Sequence, residues 1–379
     1  MATKKRSIFE EVAAKPSEPV AAPPRRPATS RRAIAAWLSV LFALVVAMIV
    51  VGGLTRLTDA GLSITEWKPI AGALPPADDA AWEAEFANYR AIPQFELTRP
   101  DMTLAEFKRI YWWEWGHRQL GRLIGLVWAG GFLWFLARRR IPPGWTGRLL
   151  GLGALGGLQG AVGWWMVASG LAPEMVAVAS HRLAIHLGIA FVILGVIAWW
   201  VMTLRREDAD LLQARRQRSA PLMRWGSALA AVAFVQVLLG ALVAGIDAGR
   251  GFPEWPLMGG QLVPPDAFAL EPGWRNFLDN PGLVQFNHRM VGYLLLVLGV
   301  VAWARSRRSA LGDIRGAFDA MAAMLVAQLG LGILTALYAA PWQVAIVHQL
   351  GAVALFALIL RARFAALYPR AQKIARGPR

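Results

Sequence analysis

The sequence predicts an all-α integral membrane protein whose eight transmembrane helices form two tandem four-helix bundles, related by a pseudo-two-fold axis along the membrane normal. Three observations support this fold class. Hydrophobic residues make up 56% of the chain and charged residues only 17%, a charge content that is low for a soluble protein. Eight apolar runs reach the length of a membrane-spanning helix, some of them marginally. Motifs of the first half recur in the second half.

The predicted spans are separated by loops that differ in charge. The spans cover residues 33–54, 117–136, 147–167, 182–204, 221–246, 288–304, 317–338 and 342–360. Basic residues cluster before the first span and after every even-numbered span. Because cytoplasmic loops are enriched in Lys and Arg, this distribution predicts that both termini face the cytoplasm.

Three basic segments flank and connect the spans. Residues 1–32 are rich in Ala, Pro, Ser, Lys and Arg, and we expect them to form a disordered cytoplasmic tail. Their three glutamates distinguish this tail from a transit peptide. Residues 205–220 are expected to form a basic cytoplasmic linker, and residues 362–379 a basic cytoplasmic tail.

The spans divide into two halves, residues 33–204 and 221–361, and each half has a long outer loop. These loops, residues 55–116 and 247–287, hold most of the carboxylates and several tryptophans, which anchor membrane interfaces. In the first loop, Thr-Leu-Ala-Glu at 103–106 matches a capping box. It predicts a short helix that leads into the second span.

The net charge of +16 raises the question of nucleic-acid binding. The basic residues lie between apolar spans, which is the orienting pattern of a membrane protein, so we expect a lipid bilayer and no nucleic acid as partner. The chain has no cysteine, which excludes disulfides, thiolate sites and iron–sulfur clusters. Metal chemistry must therefore use histidine or carboxylate.

An internal repeat relates the two halves. Six residues recur 188 positions later: Gly52, Asp59, Gly61, Glu66, Trp67 and Gly72 match Gly240, Asp247, Gly249, Glu254, Trp255 and Gly260. Further pairs are His117-Arg118 with His288-Arg289, Gln159 and Gly163 with Gln328 and Gly332, and His186 with His348. Four spans per half is an even number, so both halves share one orientation. The symmetric loop carboxylates indicate loop structure, and Gly240, Gly245, Gly330 and Gly332 are expected to serve helix packing.

Four of the five histidines lie near the outer ends of the even-numbered spans, at similar depth. A histidine inside a membrane is costly and needs a partner. The repeat divides the four into two equivalent pairs, His117 with His186 and His288 with His348. Two imidazoles from two helices of a bundle are a common way to hold heme. The alternatives are interfacial hydrogen bonding, a proton relay or zinc. His181 has no repeat partner, and we interpret it as an interfacial histidine.

Arginines near these histidines are candidate heme-propionate contacts. Arg118 and Arg289 directly follow His117 and His288, and Arg122 and Arg182 are similar candidates. Guanidinium groups suit carboxylate recognition. The alternative for each is anchoring in lipid headgroups.

One carboxylate makes the halves unequal. Glu114 lies three residues before His117, and the repeat places Gln285 at the corresponding position. A carboxylate beside a heme can handle protons or stabilise positive charge. The alternative is a glutamate favoured near a helix N-terminus by the macrodipole. The asymmetry indicates chemistry in the first half and electron transfer in the second.

Six motifs together resemble the heme A synthase family, in its proteobacterial and mitochondrial form without loop cysteines. They are GGLTRLTDAGLSITEWKPIAGALPP (52–76), EWGHRQLGRLIGL (114–126), LQGAVGWWMVASGL (158–171), HLG (186–188), NHRMVGY (287–293) and HQLGA (348–352). The resemblance implies oxidation of the C8 methyl of heme O to a formyl group by successive hydroxylations, giving heme A for terminal oxidases. It implies that His288 and His348 ligate the iron of a resident heme b, that His117 and His186 mark the substrate heme, and that Glu114 is catalytic.

The resemblance also implies a multi-pass protein of the cell inner membrane. Heme O synthase and oxidase assembly factors are then expected neighbours, and a homo-oligomer stays open. Two rival functions remain from the residues alone. One is a non-catalytic diheme b-type cytochrome that only transfers electrons. The other is a heme or small-molecule transporter, which the internal repeat suggests.

Overall fold

The structure, a computed structural model, describes residues 28–68 and 70–370. Within these ranges it contains twelve α-helices: α1 Ala28–Leu57, α2 Asp79–Arg90, α3 Pro93–Thr98, α4 Leu104–Ala137, α5 Thr146–Gly170, α6 Ser180–Leu204, α7 Asp208–Arg216, α8 Ala220–Gly245, α9 Asn276–Asp279, α10 Pro281–Ser306, α11 Gly312–Leu337 and α12 Trp342–Leu367. Short 3-10 turns lie at Ala71–Ala73, Ala248–Arg250 and Gly273–Arg275.

Seven of these helices are long and apolar enough to cross a membrane: α1, α4, α6, α8, α10, α11 and α12. The chain is therefore an all-α membrane protein. The remaining predicted span lies in α5, which has span length at 25 residues but also contains eight glycines and Gln159. Those residues lower its mean hydropathy, so the eighth span stays a prediction.

The helix starts explain how the outer loops lead into the membrane. The predicted capping box is confirmed, because the Thr103 side chain accepts from Glu106 N–H and the Glu106 carboxylate accepts from Thr103 N–H. Helix α4 is 34 residues long and begins at Leu104, well before residue 117, where the second span was predicted to start. In α10, the Asn280 side chain caps the first turn and Pro281 opens the helix.

Helices also extend into the segments expected to be tails and linker. Helix α1 begins at Ala28 and α12 continues to Leu367, so the helical parts include residues 28–32 and 362–367. The linker at 205–220 contains α7. The rest of the two expected tails, residues 1–27 and 371–379, lies outside the described residues.

Each half packs around the same pattern of neighbours. In the first half, α1 and α5 each pack against both α4 and α6. In the second half, α8 and α11 each pack against both α10 and α12. Contacts of α6 with α8 and of α1 with α12 join the halves, and Phe191 of α6 meets Phe356 of α12 with ring centroids 5.5 Å apart. The main core runs through this junction.

The outer loop of the first half has its own small core. Aromatic residues of α2 pack on the first turns of α4, including Phe86 on Phe107 at 5.0 Å and Trp82 on Tyr111 at 4.9 Å between ring centroids. These four side chains are buried. The loop is therefore an ordered cap on the N-terminal end of α4.

Candidate functional site

In each half, the two histidines of a pair lie on different helices, and those two helices pack against the same two neighbouring helices. His117 is on α4 and His186 on α6, while His288 is on α10 and His348 on α12. The rings of His288 and His348 lie edge to face, with centroids 6.4 Å apart and planes at 83°. That separation is close to the ~6 Å expected for two imidazoles on opposite sides of one metal ion with bonds of about 2 Å. The second pair therefore has the spacing of a shared metal.

A glycine on a flanking helix lies against each of the four rings. A methyl group added at Gly52 would lie 3.1 Å from Nε2 of His117. Added at three other glycines, it would lie as close to Cε1 of the facing histidine: 2.9 Å for Gly163 and His186, 3.0 Å for Gly240 and His288, and 3.1 Å for Gly332 and His348. A methyl group at any of these positions would require the ring to shift by a few tenths of an ångström.

This finding revises the expectation that Gly240 and Gly332 serve only helix packing. They are the surfaces on which His288 and His348 rest. Gly245 does serve packing, since an added methyl would lie 2.9 Å from Cα of Ser180 on α6. The internal repeat could have revealed this role of the glycines, because each ring-facing glycine has a counterpart in the other half that faces the equivalent histidine.

Three glutamines, each one helical turn before such a glycine, hold three of the histidines. Nε2 of Gln159 donates to the carbonyl of His186 at 3.1 Å, that of Gln236 to His288 at 2.9 Å, and that of Gln328 to His348 at 2.9 Å. The same amide nitrogens lie 3.1 to 3.3 Å from ring nitrogens of those histidines. Sequence analysis missed Gln236, although the pattern Gln-x-x-x-Gly occurs at all three positions.

Four buried polar atoms of these histidines and glutamines have no hydrogen-bond partner in the part of the chain that the structure describes, and they bear on whether the sites fit a bound heme. Among the described residues, Oε1 of Gln159, Gln236 and Gln328 and Nδ1 of His186 are buried without a hydrogen-bond partner. A histidine that binds a metal through one ring nitrogen donates its other N–H to an acceptor. Nε2 of each glutamine lies 3.1 to 3.3 Å from a ring nitrogen, so an amide turned over, with its oxygen in that place, supplies such an acceptor. The residues present therefore fit histidine ligation of heme iron.

The zinc alternative can be compared with the same geometry. A zinc site needs several histidine, cysteine or carboxylate ligands around one point. Across residues 28–68 and 70–370, no group of three or more such side chains is placed to hold a metal ion.

Glu114 is buried and fully engaged by hydrogen bonds. Its Oε2 accepts from the Ser63 hydroxyl at 2.8 Å and from Ile64 N–H at 2.9 Å. Its Oε1 pairs with Arg118 Nη2 at 2.7 Å. The carboxylate thus ties the outer loop to α4 one turn from His117.

The second half has an amide where the first has this ion pair. Gln285 is as buried as Glu114, at 3% exposure, but its Nε2 reaches only Phe252 O at 3.4 Å. Its Oε1 has no partner among the described residues. The asymmetry seen in the sequence is therefore a difference in bonding: a paired carboxylate in one half and an incompletely satisfied amide in the other.

The two arginines after the histidines hold the outer loops. Arg118 Nη2 donates to Ile64 O at 2.8 Å, and Arg289 Nη2 donates to the repeat-related Phe252 O at 2.9 Å. Arg289 Nη1 also donates to Leu257 O at 3.1 Å. Both guanidinium groups lie at the outer ends of their sites, where they fix a loop beside the histidine.

The remaining candidates lie near the same outer surface. Arg122 donates to Lys68 O at 3.2 Å. Arg182 donates to Trp165 O at 2.8 Å and stacks over the Trp165 ring at 4.3 Å. His181 also contacts that ring, at 6.5 Å between centroids, in keeping with an interfacial histidine.

Comparisons with known proteins agree with this geometry. Residues 35–360 match the COX15-CtaA family, described as cytochrome oxidase assembly protein. The chain is similar to a heme A synthase of Dinoroseobacter shibae, 61% identical over 377 residues that cover 98% of each protein. It is similar to a heme A synthase of Cereibacter sphaeroides, 60% identical over 389 residues and 100% of each. A heme A synthase of Paracoccus denitrificans is 62% identical over 340 residues, 90% of this chain and 89% of the relative.

Proposed function

The chain belongs to the COX15-CtaA family of cytochrome oxidase assembly proteins, and we propose that its paired histidines hold the hemes of the reaction that its relatives are named for. It is an oxidoreductase of heme biosynthesis, a heme A synthase that converts heme O to heme A in the membrane. The observation that carries this conclusion is the pair of repeated sites, each with two histidines seated on glycines of a membrane helix bundle.

The two sites have different occupants in this proposal. His288 and His348 ligate the iron of a resident heme b, and His117 and His186 bind the iron of the substrate heme O. The two rings 6.4 Å apart and the two glutamine amides support a permanently bound heme in the second half. The carboxylate beside His117 supports chemistry in the first half.

The reaction oxidises one methyl carbon twice. Each hydroxylation replaces a C–H bond of the C8 methyl with a C–OH bond, a two-electron oxidation. The second gives a geminal diol, which loses water to form the aldehyde. With water as the oxygen source, each hydroxylation releases two electrons and two protons; with dioxygen, it consumes two electrons and two protons and also forms water. In either case, a heme held by His288 and His348 would carry these electrons one at a time between the first half and an external redox partner.

Glu114 is the proposed catalytic carboxylate for this step. Its charge is balanced by Arg118, and its position is fixed by Ser63 and Ile64 N–H. A held carboxylate can accept a proton or stabilise positive charge that develops on the substrate. Gln285 can do neither, so the second half is suited to electron transfer.

The arginines are the proposed contacts of the heme propionates. Arg118 and Arg289 direct guanidinium groups to the outer end of each site, as Arg122 does in the first half. A cavity of about 360 Å³ lies beside Arg118 and Arg122. Lys68 lines it together with Glu66 and Glu85, which both pair with Lys68. Arg118 and Arg122 are the cations that we propose for the propionates. Cations of this kind suit carboxylate groups of a substrate that enters and leaves.

The proposed architecture extends the observed packing to eight spans, with α5 as the third. Residues 33–204 and 221–361 form two tandem bundles, supported by the matching neighbours of α4 and α6 and of α10 and α12. Both termini lie in the cytoplasm and the protein resides in the inner membrane, supported by the basic loops. Heme O synthase and oxidase assembly factors are the proposed partners. Any oligomer of the protein is expected to be a homo-oligomer.

Analysis of cellular hemes tests the function. We expect that deletion of the gene abolishes heme A and accumulates heme O, and that the plasmid-borne wild-type gene restores heme A. Mass spectrometry of extracted hemes separates the two, because the methyl and formyl groups differ in mass. Unchanged heme A in the deletion strain would instead favour an electron-transfer cytochrome or a transporter.

A further inference from the structure

The four paired histidines share one pattern of neighbouring residues, except at His117. Gln159, Gln236 and Gln328 each lie four residues before the glycine that faces their histidine. The residue four positions before Gly52, which faces His117, is Met48. The 188-residue repeat that relates Gly52 to Gly240 also relates Met48 to Gln236.

The two side chains occupy equivalent places in the structure. A methyl group added at Gly292, one turn after His288, would lie 3.2 Å from Nε2 of Gln236. A methyl group added at the matching Gly121, one turn after His117, would lie 3.5 Å from Cε of Met48. Met48 therefore fills the glutamine position beside His117 and does not simply lie elsewhere on α1.

The replacement removes a hydrogen-bonding group from one site only. Each glutamine donates to the carbonyl of its histidine and keeps a buried amide oxygen with no partner among the described residues. Turned over, the amide would place that oxygen where its nitrogen now lies, 3.1 to 3.3 Å from the ring nitrogens, and the oxygen would accept the second N–H of a ligating imidazole. Such a bond orients the ring and strengthens it as a ligand. Methionine has no donor, and its thioether sulfur is only a weak acceptor.

We propose that Met48 makes His117 the displaceable ligand of the substrate heme. This inference rests on the proposed function, in which His117 and His186 bind that heme. His186, held by Gln159, keeps the substrate in place, while His117 can leave the iron and open one axial face. The resident heme keeps two glutamine-held ligands, so neither of its faces opens. Met48 is a positioning residue, because it acts through His117.

Binding of carbon monoxide to the reduced protein measures ligand displacement directly. Purified full-length protein is loaded with heme O in detergent, the heme-to-protein ratio is determined, and carbon monoxide is titrated after reduction. We expect the wild-type protein to bind carbon monoxide at the first site. Met48→Gln should lower that affinity by about tenfold or more, the range for loss or gain of a partner of a ligating histidine. Met48→Leu, which adds no hydrogen bond, should match the wild type.

The reciprocal change is an independent test in the other half. Gln236→Met removes the amide beside His288, and we expect the resident heme to gain carbon monoxide binding that the wild type lacks. This variant keeps the inference testable if Met48→Gln does not fold.

The outcomes separate this inference from the proposed function. Equal carbon monoxide affinity of Met48→Gln and wild type, with both sites filled, would overturn the role of Met48 alone. So would a Gln236→Met protein whose resident heme still excludes carbon monoxide. If the wild-type protein took up no second heme when loaded with heme O, the proposed function would be overturned as well. The heme-to-protein ratio shows this before any carbon monoxide is added.

Discussion

At the scale of single residues, the outer end of the first site depends on one buried charge pair. Glu114 and Arg118 side chains are 4% and 17% exposed, and their closest atoms are 2.7 Å apart. The pair does two things at once, since it holds Ile64 and Ser63 of the loop and places a carboxylate one turn from His117. Structure and chemistry therefore have to be separated by the choice of substitution.

Glu114→Gln copies the residue of the second half, removes the charge and replaces the oxygen that pairs with Arg118 by an amide NH2. Its amide oxygen can still accept from Ile64 N–H, so we expect a folded protein that retains resident heme. Heme A formation should fall by about 10²-fold or more, the effect of losing a proton-handling group. Glu114→Ala should abolish heme A and also loosen the loop, because buried groups left unpaired cost about 1–3 kcal/mol each.

Extracted heme A and the resident-heme spectrum are measured on the same cells. Gln285→Ala, at the equivalent buried position, is the matched control and should retain heme A. Normal heme A in the Glu114→Ala strain would remove Glu114 from the catalytic site.

The ring-facing glycines give a second prediction at this scale. Gly332→Ala places a methyl group 3.1 Å from Cε1 of His348, and we expect the ring to shift and the resident heme to be lost. Overpacking of this kind costs about 1–3 kcal/mol. Gly330→Ala, two residues earlier on α11, meets nothing within 4 Å and should keep full heme content. Absorbance per mole of purified protein compares them, and equal heme content in both variants would contradict the seat assigned to Gly332.

At the scale of elements, local signals in the sequence determine α4 well. Thr103 and Glu106 cap it as the sequence predicts, so Glu114 and His117 share one continuous helix. Thr103→Ala should cost about 0.5–2 kcal/mol, the usual loss of an N-cap. Hydrogen exchange at residues 104–107 should rise in this variant, while Thr335→Ala on α11, which is not a cap, should leave it unchanged. Unaltered exchange in Thr103→Ala would show that tertiary packing alone fixes the helix start.

Other elements were less accessible to sequence reasoning. Apolar runs located seven helices, but α5 has eight glycines, two of which lie against Trp128 and His186, and these glycines dilute the hydropathy signal. The start of α10 was missed because its first, polar turns precede the apolar run, whereas the capping box predicted the start of α4. The glutamine contacts were missed because they join helices far apart in sequence, as Gln236 and His288 do.

At the scale of the whole molecule, one arginine joins the two halves at the C-terminal ends of α1 and α8. Arg56, at the end of α1, pairs with Asp59 at 2.8 Å and with Asp247 of the other half at 2.9 Å. Both aspartates follow repeat-related helices and adopt a left-handed backbone with φ of 53°. The same turn is thus built twice, and a single guanidinium bridges the two copies.

Removal of this bridge should loosen the association of the halves. We expect Arg56→Ala to destabilise the protein by about 1.5–3 kcal/mol, the range for hydrogen bonds to charged groups. Arg275→Ala breaks an exposed pair with Asp279 and should cost about 0–1 kcal/mol. Thermal unfolding in detergent compares the two variants, and an equal midpoint for both would show that Arg56 is no more than a surface pair.

The central claim is that the halves hold unequal hemes, and the heme content of four purified variants tests it most directly. His288→Ala and His348→Ala should lose heme b, while His117→Ala and His186→Ala should keep heme b and lose bound heme O and heme A. Each variant is purified from the membrane, and its hemes are extracted and separated by mass. Loss of heme b from His117→Ala or His186→Ala, with heme b retained by His288→Ala and His348→Ala, would contradict the account.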